Sequence, residues 1–169
     1  MTGLRLITHH FTVRLFNRGL DILEVSDDGS GVPSESRSKL AALHATSKIT
    51  AYDDIHRTQS LGFRGEALHS LANLSGKLVV ATRTQSDAVA QKMEFDRDGK
   101  LTSSQSIPRK VGTTVAVMRL FEKVPVRCMD LQRNISRHRT KLIKLMEAYA
   151  IFNVGKRIHV MDMVGEKCK

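Results

Sequence analysis

The stretch that decides the fold reads Leu61-Gly62-Phe63-Arg64-Gly65-Glu66-Ala67-Leu68. Two glycines three residues apart run directly into an apolar pattern of helical spacing that continues through Leu71 and Leu74. The pattern predicts a flexible loop followed by a short helix over residues 65–74. The first turn of a helix offers unpaired N–H groups and a partial positive charge, which suit an anion such as a phosphate.

Two earlier segments are also typical of nucleotide sites, namely Asp27-Asp28-Gly29-Ser30-Gly31 and His44-Ala45-Thr46-Ser47-Lys48. A carboxylate that directly follows a strand can accept a hydrogen bond from an exocyclic amine such as that of adenine, and the glycines let the backbone approach a flat base. The hydroxyls of Thr46 and Ser47 and the ammonium of Lys48 can contact phosphate oxygens. In isolation, an acidic turn with a calcium preference and a polar loop after a helix are the favoured explanations of these two segments.

Two further segments leave alternatives open. Arg64 can hold a phosphate or a carboxylate, or it can pair with Glu66 or Asp53 as a structural tie. Gly112-Thr113-Thr114 leads into a strand, where a threonine hydroxyl could share a water or a base edge with Asp27. The β-propensity of threonine is the alternative explanation.

Periodicity predicts an α+β sandwich in which a mixed sheet carries helices on one face. Ser34 is a plausible N-cap for the first predicted helix. The predicted strands cover residues 11–16, 20–25, 77–84, 91–95, 101–106, 113–120 and 158–161, and the predicted helices cover residues 34–44, 65–74 and 132–150.

Length and composition favour one intracellular domain. The chain has 169 residues, 41% of them hydrophobic, with no apolar run of membrane-spanning length and no secretory signal pattern. Two cysteines, Cys128 and Cys168, are too few for a four-cysteine zinc site. The net charge is +10, and residues 123–169 hold 11 Lys/Arg against 4 Asp/Glu. This basic third indicates a polyanionic partner, or alternatively a solvated helix face.

The order of these segments resembles the N-terminal ATPase of the MutL mismatch-repair proteins, which belong to the GHKL superfamily. The strings at 44–49 and 62–68, the Gly-Thr-Thr at 112–114, Leu120-Phe121 and the Pro-Val-Arg at 125–127 carry the resemblance. The segments at 124–127 and 132–135 are similar to the eukaryotic post-meiotic-segregation branch. The resemblance covers about residues 11–161.

The resemblance implies a Bergerat-type sandwich, an ATP cofactor and specific roles for the site residues. Asp27 would bind the adenine amine with Gly29 and Gly31 under the base, and Thr113 would support that site. Thr46, Ser47 and Lys48 would lie in the lid over the phosphates. The phosphate loop and helix start would be Gly62, Phe63, Arg64, Gly65 and Glu66.

The chain also departs from the family pattern. The family places Asn where Asp28 stands, and its first helix carries a Glu that activates water and an Asn that holds magnesium. Residues 1–10 contain no Glu, Asp or Asn, so no catalytic residue and no metal ligand are identified. We expect residues 1–10 to replace that helix, residues 11–131 to form the ATP-binding domain, and residues 132–169 to hold a connecting helix and the start of a second domain. This pattern predicts an N-terminal fragment that binds ATP and hydrolyses it poorly.

The basic third fits the family's sequence-independent binding of double- or single-stranded DNA. The candidate phosphate contacts are Arg133, Arg137, Arg139, Lys141 and Lys144. The family also implies nuclear residence, a paralogous MutL homologue as heterodimer partner, and a MutS-type mismatch-recognition complex. Three functions compete: a mismatch-repair ATPase domain, a non-catalytic nucleotide- or DNA-binding remnant, and another GHKL protein such as a topoisomerase or chaperone. The Gly-Phe-Arg-Gly-Glu string argues against the third.

Overall fold

The computed structural model describes residues 8–43 and 66–163. Seven strands form one sheet in the order β5-β4-β3-β6-β2-β1-β7. The strands are β1 His10–Phe16, β2 Ile22–Asp27, β3 Ser75–Arg83, β4 Ala90–Phe95, β5 Leu101–Ile107, β6 Gly112–Leu120 and β7 Arg157–Met163. The helices are α1 Ser34–Arg37, α2 Ala67–Leu74, α3 Pro125–Arg133 and α4 Ile135–Phe152.

The sheet is mixed, as predicted. Every pairing is antiparallel except that of β7, which runs parallel to β1. The predicted first hairpin is present, but β2 begins at Ile22 instead of residue 20. A short 3-10 turn over Asn17–Gly19 takes up the intervening residues, with positive φ at Asn17 and Arg18.

Strand alternation divides the sheet into two faces. Val25 of β2 lies opposite Val115 of β6, which in turn lies opposite Val80 of β3. These side chains point to the face where α2 packs, and Val80 and Leu78 are almost fully buried there. Each such aliphatic side chain stabilises the fold by roughly 1.5–3 kcal/mol.

All four helices that the structure describes are on, or connected to, this one face. The residues around Ala41 and the apolar side of α2 join the core. Arg139 of α4 pairs with Asp162 of β7, which lies in register with Leu15 on the buried face of β1. α3 packs against α4. The expected two-layer α+β arrangement is therefore confirmed, and we call the opposite side of the sheet the open face.

The first helix is shorter than predicted. α1 ends at Arg37, and residues 38–43 form turns in which the N–H groups of Lys39, Leu40 and Ala42 each reach back three residues. Tertiary contacts explain the early end, because the carbonyl of Ala41 contacts His69 Nδ1 at 3.1 Å and packs against Gly99. The N-cap is Pro33, not Ser34, whose hydroxyl donates to Glu35.

The basic helix predicted at 132–150 is two helices. α3 starts with Pro125 in its first turn, where the missing N–H costs nothing, and the chain leaves helical geometry at Asn134. α4 then runs to Phe152, and β7 extends the same sheet. The domain boundary proposed near residue 132 stays a prediction. None of the described helices is long and apolar enough to cross a membrane.

Candidate nucleotide site at the ends of the central strands

The Asp27 carboxylate is the centre of the candidate site. Asp27 is the last residue of β2 and has the same strand parity as Val25, so its side chain belongs to the helix-covered side. Its Oδ1 accepts hydrogen bonds from the N–H of Gly29 at 2.8 Å and from the N–H of Thr113 at 3.2 Å. Within residues 8–43 and 66–163, Oδ2 accepts none. One oxygen is therefore fixed by the backbone, and the other remains available to an external donor.

A buried hydroxyl pair holds Thr113 beside Asp27. Thr113 Oγ1 lies 3.1 Å from the hydroxyl of Thr82, which is fully buried at the end of β3. The Thr82 hydroxyl also contacts the Gly112 carbonyl at 3.2 Å and accepts the Val32 N–H at 2.9 Å. Because each polar atom is satisfied, the network stabilises one arrangement of three separated segments.

Different close contacts surround two of the predicted site glycines, Gly29 and Gly31. A Cβ at Gly29 would lie 2.9 Å from Asp27 Oδ1 and 3.0 Å from Thr8 Cγ2, so a larger residue would press on the carboxylate and displace it. Gly31 has a φ of +77°, and a Cβ there would lie 2.2 Å from the Arg83 carbonyl. The structure thus places Gly31 against the backbone of β3.

Asp28 has a structural partner of its own. Its Oδ1 accepts the N–H groups of His9 and His10, each at 2.9 Å. Although desolvation acts to raise it, these two hydrogen bonds hold the pKa of the Asp28 carboxyl below its usual value. The residue that departs from the family pattern therefore anchors the chain entering β1.

An ion pair fixes the turn that follows the site glycines. The buried Arg37 donates from Nε to the Val32 carbonyl at 2.9 Å and pairs through Nη2 with Asp87. Asp87 also accepts the N–H and the hydroxyl of Thr84, both at 2.7 Å. The Arg37 guanidinium, aided by both Thr84 groups, holds the pKa of the Asp87 carboxyl well below its usual range. Val32 is thus secured through both its N–H and its carbonyl.

The remaining predicted nucleotide contacts are placed only in part. Glu66 is exposed and immediately precedes α2, where its carbonyl accepts the Ser70 N–H at 2.9 Å. The others lie outside the described residues: Thr46, Ser47, Lys48, Gly62, Phe63, Arg64 and Gly65. Their proposed contacts with phosphate stay predictions.

The predicted DNA-binding cations divide into two groups. Arg133, Arg137, Lys141 and Lys144 are exposed on α3 and α4. Arg139 instead pairs with Asp162, its Nε lying 2.7 Å from Oδ2. The spacing of Arg137, Lys141 and Lys144 puts them on one helix stripe, whereas Arg139 lies on the side facing β7.

Sequence reasoning missed two contributors, Thr82 and Arg109. Thr82 continues the alternation of Leu78 and Val80, and that signal could have placed it on the buried face. Arg109 lies in the loop before β6 and donates to the Asp27 carbonyl at 3.1 Å; no sequence pattern marks it. Within the described ranges, no three His, Cys, Asp or Glu side chains are grouped so as to hold a metal ion.

Chemically, the arrangement can accept a hydrogen bond from an amine and admit a flat group beside Gly29. The free oxygen of Asp27 is a charged acceptor, and hydrogen bonds to charged groups contribute about 1.5–3 kcal/mol. The described residues that surround Asp27 include no activated nucleophile.

Comparison with known proteins gives the family. No protein-family model matches the sequence. The chain is 40% identical over 154 residues to the mismatch repair endonuclease PMS2 of Gallus gallus, a match that spans 91% of this chain and 18% of the relative. A crystal structure of the N-terminal domain of a DNA repair protein is 34% identical with a TM-score of 0.80, covering 95% of this chain and 45% of that one.

A second solved structure supports the fold alone. The Aquifex aeolicus MutL ATPase domain, complexed with ADP, is 20% identical with a TM-score of 0.69, and the match covers 92% of this chain and 52% of that one.

The chain spans less than a fifth of the length of the chicken PMS2 that it matches. From these similarities and the GHKL-type sheet, we conclude that the chain belongs to the MutL family of DNA mismatch repair proteins, in the branch of the PMS1 and PMS2 endonucleases.

Proposed function

We propose that this chain binds ATP as the nucleotide-binding unit of a MutL homologue and serves DNA mismatch repair. One observation carries the proposal: two backbone N–H groups fix one oxygen of Asp27, and no donor among the described residues contacts the other oxygen. In this proposal Oδ2 accepts the adenine amine, and Gly29 lets the base lie close to the backbone. Thr113 and Thr82 keep the carboxylate in place.

The phosphate side of the proposal rests on the resemblance to the family. Residues 46–48 and 62–66 would contact the phosphates of ATP. The reaction of the family is hydrolysis of the bond that joins the γ-phosphate to the rest of ATP. Magnesium accompanies ATP in the family, but the described residues provide no cluster for it.

We further propose that the 169-residue chain hydrolyses ATP slowly. The support is the composition of residues 1–10, which offer neither a carboxylate to activate water nor an amide to hold a metal. The alternative function, a non-catalytic nucleotide- or DNA-binding module, follows if turnover is absent altogether. Substantial phosphate release by the purified chain, abolished by Asp27→Ala, would contradict slow turnover.

The experiment for nucleotide binding is calorimetric titration with a non-hydrolysable ATP analogue, with and without magnesium. Asp27→Asn keeps an oxygen for the Gly29 and Thr113 N–H groups but can place its amide NH2 group at the position of Oδ2, where it would face the adenine amine. We expect it to weaken binding at least about tenfold, the equivalent of one lost charged hydrogen bond. Ser26→Ala is the matched control, since Ser26 points to the open face. Equal affinities for wild type and Asp27→Asn would overturn the proposal.

A second part of the proposal is that α4 binds DNA through the exposed stripe of Arg137, Lys141 and Lys144. Each phosphate contact contributes about −0.9 to the slope of log affinity against log salt. Arg137→Glu should therefore flatten that slope by about 1. Arg139→Gln is the control, because Arg139 is already paired with Asp162, and it should leave the slope unchanged. Equal effects of both variants would count against the stripe.

The biological setting is also part of the proposal. The eukaryotic relatives support a nuclear location, a paralogous MutL homologue as partner and contact with a MutS-type complex. Co-purification of a tagged chain with MutL and MutS homologues from nuclear extract tests these partners directly. Recovery of the chain without either class, from cells in which the chain is folded, would contradict them.

A further inference from the structure

The open face of the sheet carries a second polar site, which lies beside Asp27. Ser26 lies in register between Thr12 of β1 and Thr114 of β6. Its strand parity is opposite to that of Asp27, so these three side chains point away from the helix layer. No helix in the described part of the chain covers this row of hydroxyls.

A cavity of about 340 Å³ lies over this row. Its walls include the three hydroxyl residues together with His10, Arg109 and Lys110. Ser26 and Thr114 share a hydrogen bond of 2.9 Å, whereas the Thr12 hydroxyl has no partner in the described ranges. Ligand pockets begin at about 300 Å³, so the space can take a small polar group.

Arg109 is the distinctive group in this cavity. Its guanidinium donates to the carbonyls of Asp27 and Lys110 at 3.1 and 2.9 Å, and to the Thr114 hydroxyl at 2.9 Å from Nη2. All of these acceptors are neutral.

Three other partly or fully buried arginines have a carboxylate partner: Arg14 pairs with Glu24, Arg37 with Asp87, and Arg139 with Asp162. Arg83 resembles Arg109, since it donates to the backbone carbonyls of Asp87 and Arg109. Arg109 has no carboxylate within salt-bridge distance in the described part of the chain.

Among the described residues, the site therefore holds a half-buried cation that no carboxylate contacts in a salt bridge. Burial lowers the pKa of the Arg109 guanidinium, against the opposing influence of the Asp27 and Glu24 charges. A desolvated charge of this kind is stabilised by an anion that can also accept hydrogen bonds. Lys110, which is exposed at the rim, has an ammonium without a partner in the described residues.

The neighbouring groups favour a particular shape of anion. Most Arg109 N–H groups already donate within the chain, so the guanidinium offers an oxyanion its positive charge and one N–H of Nη1. The Lys110 ammonium and the Thr12 hydroxyl can donate to the other oxygens. Asp28 also borders the cavity, but its Oδ1 is already occupied by two backbone N–H groups. Its negative charge directs an anion toward the Arg109 and Lys110 side.

We propose that the open-face cavity binds a phosphate-type oxyanion through Arg109, Lys110 and the Thr12 hydroxyl. The phosphate belongs either to a small phosphorylated molecule or to a nucleic-acid backbone, since both present the same group. Asp27 also lines this cavity and its carbonyl accepts a hydrogen bond from Arg109, so the proposed oxyanion site lies directly beside the proposed adenine contact.

The test is an NMR titration of the full chain with sodium pyrophosphate, performed with the ATP analogue already present at saturation. We expect the backbone N–H signals of Thr12, Lys110 and Thr114 to shift together. Lys110→Ala should weaken the apparent affinity about threefold to tenfold, as for loss of one exposed charge contact. Lys100→Ala, an exposed lysine in the β4–β5 turn, is the matched control and should bind as wild type does.

A second arm of the experiment separates the two sources of phosphate. A short single-stranded oligonucleotide that displaces pyrophosphate from these signals assigns the site to nucleic-acid backbone, and failure to displace it assigns the site to small phosphorylated molecules. The absence of shifts at the three residues, or equal losses in Lys110→Ala and Lys100→Ala, would overturn the proposal. Arg109→Lys keeps the positive charge but replaces the guanidinium with an ammonium, so it should weaken pyrophosphate binding. Circular dichroism should show that this variant stays folded.

Discussion

The two faces of the sheet differ most sharply at one place, the adjacent residues Ser26 and Asp27 at the end of β2. Asp27 points to the helix-covered face and meets the N–H groups of Gly29 and Thr113. Ser26 points to the open face and meets Thr114 and Arg109. One step along β2, from Asp27 to Ser26, therefore replaces a carboxylate with a hydroxyl that lies beside Arg109. Among the described residues, Arg109 has no salt bridge. Strand alternation alone is enough to place two opposite chemistries a few ångströms apart.

The largest expected effect comes from substituting Gly112, which packs against the backbone of Asp27. Gly112 has a φ of +127°, and a Cβ there would lie 2.2 Å from the Asp27 carbonyl. Gly112→Ala should lower the free energy of unfolding by about 3 kcal/mol, through backbone strain and the clash together. Urea denaturation measures this loss.

Gly155→Ala is the matched control for that experiment. Gly155 also has a positive φ, +83°, but its Cβ would meet nothing within 4 Å. Only the conformational cost of about 1 kcal/mol should remain. If the two variants lose equal stability, the close approach at Gly112 does not have the importance that we assign to it.

The second effect concerns the helix-covered face only. Thr82→Val removes the buried hydroxyl that accepts the Val32 N–H and contacts Gly112 and Thr113, while keeping the volume. Leaving these groups unpaired should cost about 2 kcal/mol and should weaken nucleotide binding. Thermal unfolding and the calorimetric titration measure the two consequences.

Thr102→Val is the control for Thr82. The Thr102 hydroxyl donates to the Glu94 carbonyl at 3.0 Å on an exposed edge strand. Water can replace that bond, so the change should stay within about 0.5 kcal/mol. Comparable losses in both variants would mean that burial of the Thr82 hydroxyl is not what stabilises the site.

The smallest effect is pH dependence from the turn behind the site. Because the folded pKa of Asp87 lies below its unfolded value of 3.8, the ionised form favours folding. This stabilisation is fully present above the unfolded pKa and is lost as the pH falls through it toward the folded pKa. Melting temperatures measured from about pH 6 to pH 3 should fall more for wild type than for Asp87→Asn. Parallel curves would show that Asp87 does not contribute in this way.

How much could be predicted from the sequence depends on how local the signal is. Periodicity predicted the strands and a mixed sheet with helices on one face, whereas the structure showed which residues lie on the covered face. The family pattern placed Thr113 beside Asp27, and the Thr113 N–H does donate to Asp27 Oδ1; their contact with adenine stays a prediction. The helix predicted at 34–44 was too long because the Ala41 carbonyl serves His69 and Gly99, which are distant in sequence. Arg109 was missed because its neighbours Ser26 and Asp27 lie more than 80 residues away.

The same reasoning explains the division among the basic residues. Composition marked the C-terminal third as basic, but it could not separate Arg139, which pairs with Asp162, from the exposed Arg137. Helical spacing does separate them once the helix is known to begin at Ile135 and to lie against β7. The predicted single helix at 132–150 hid that boundary.

The central claim is that the adenine contact lies on the covered side of the β2 end and not on the open side. The most direct measurement is NMR mapping of backbone N–H signals while a non-hydrolysable ATP analogue is added to the chain. We predict that the Gly29 and Thr113 signals shift most, because both N–H groups bind the carboxylate that would receive the adenine amine. Shifts that centre on Thr12, Thr114 and Lys110 while Gly29 and Thr113 stay unmoved would contradict the account.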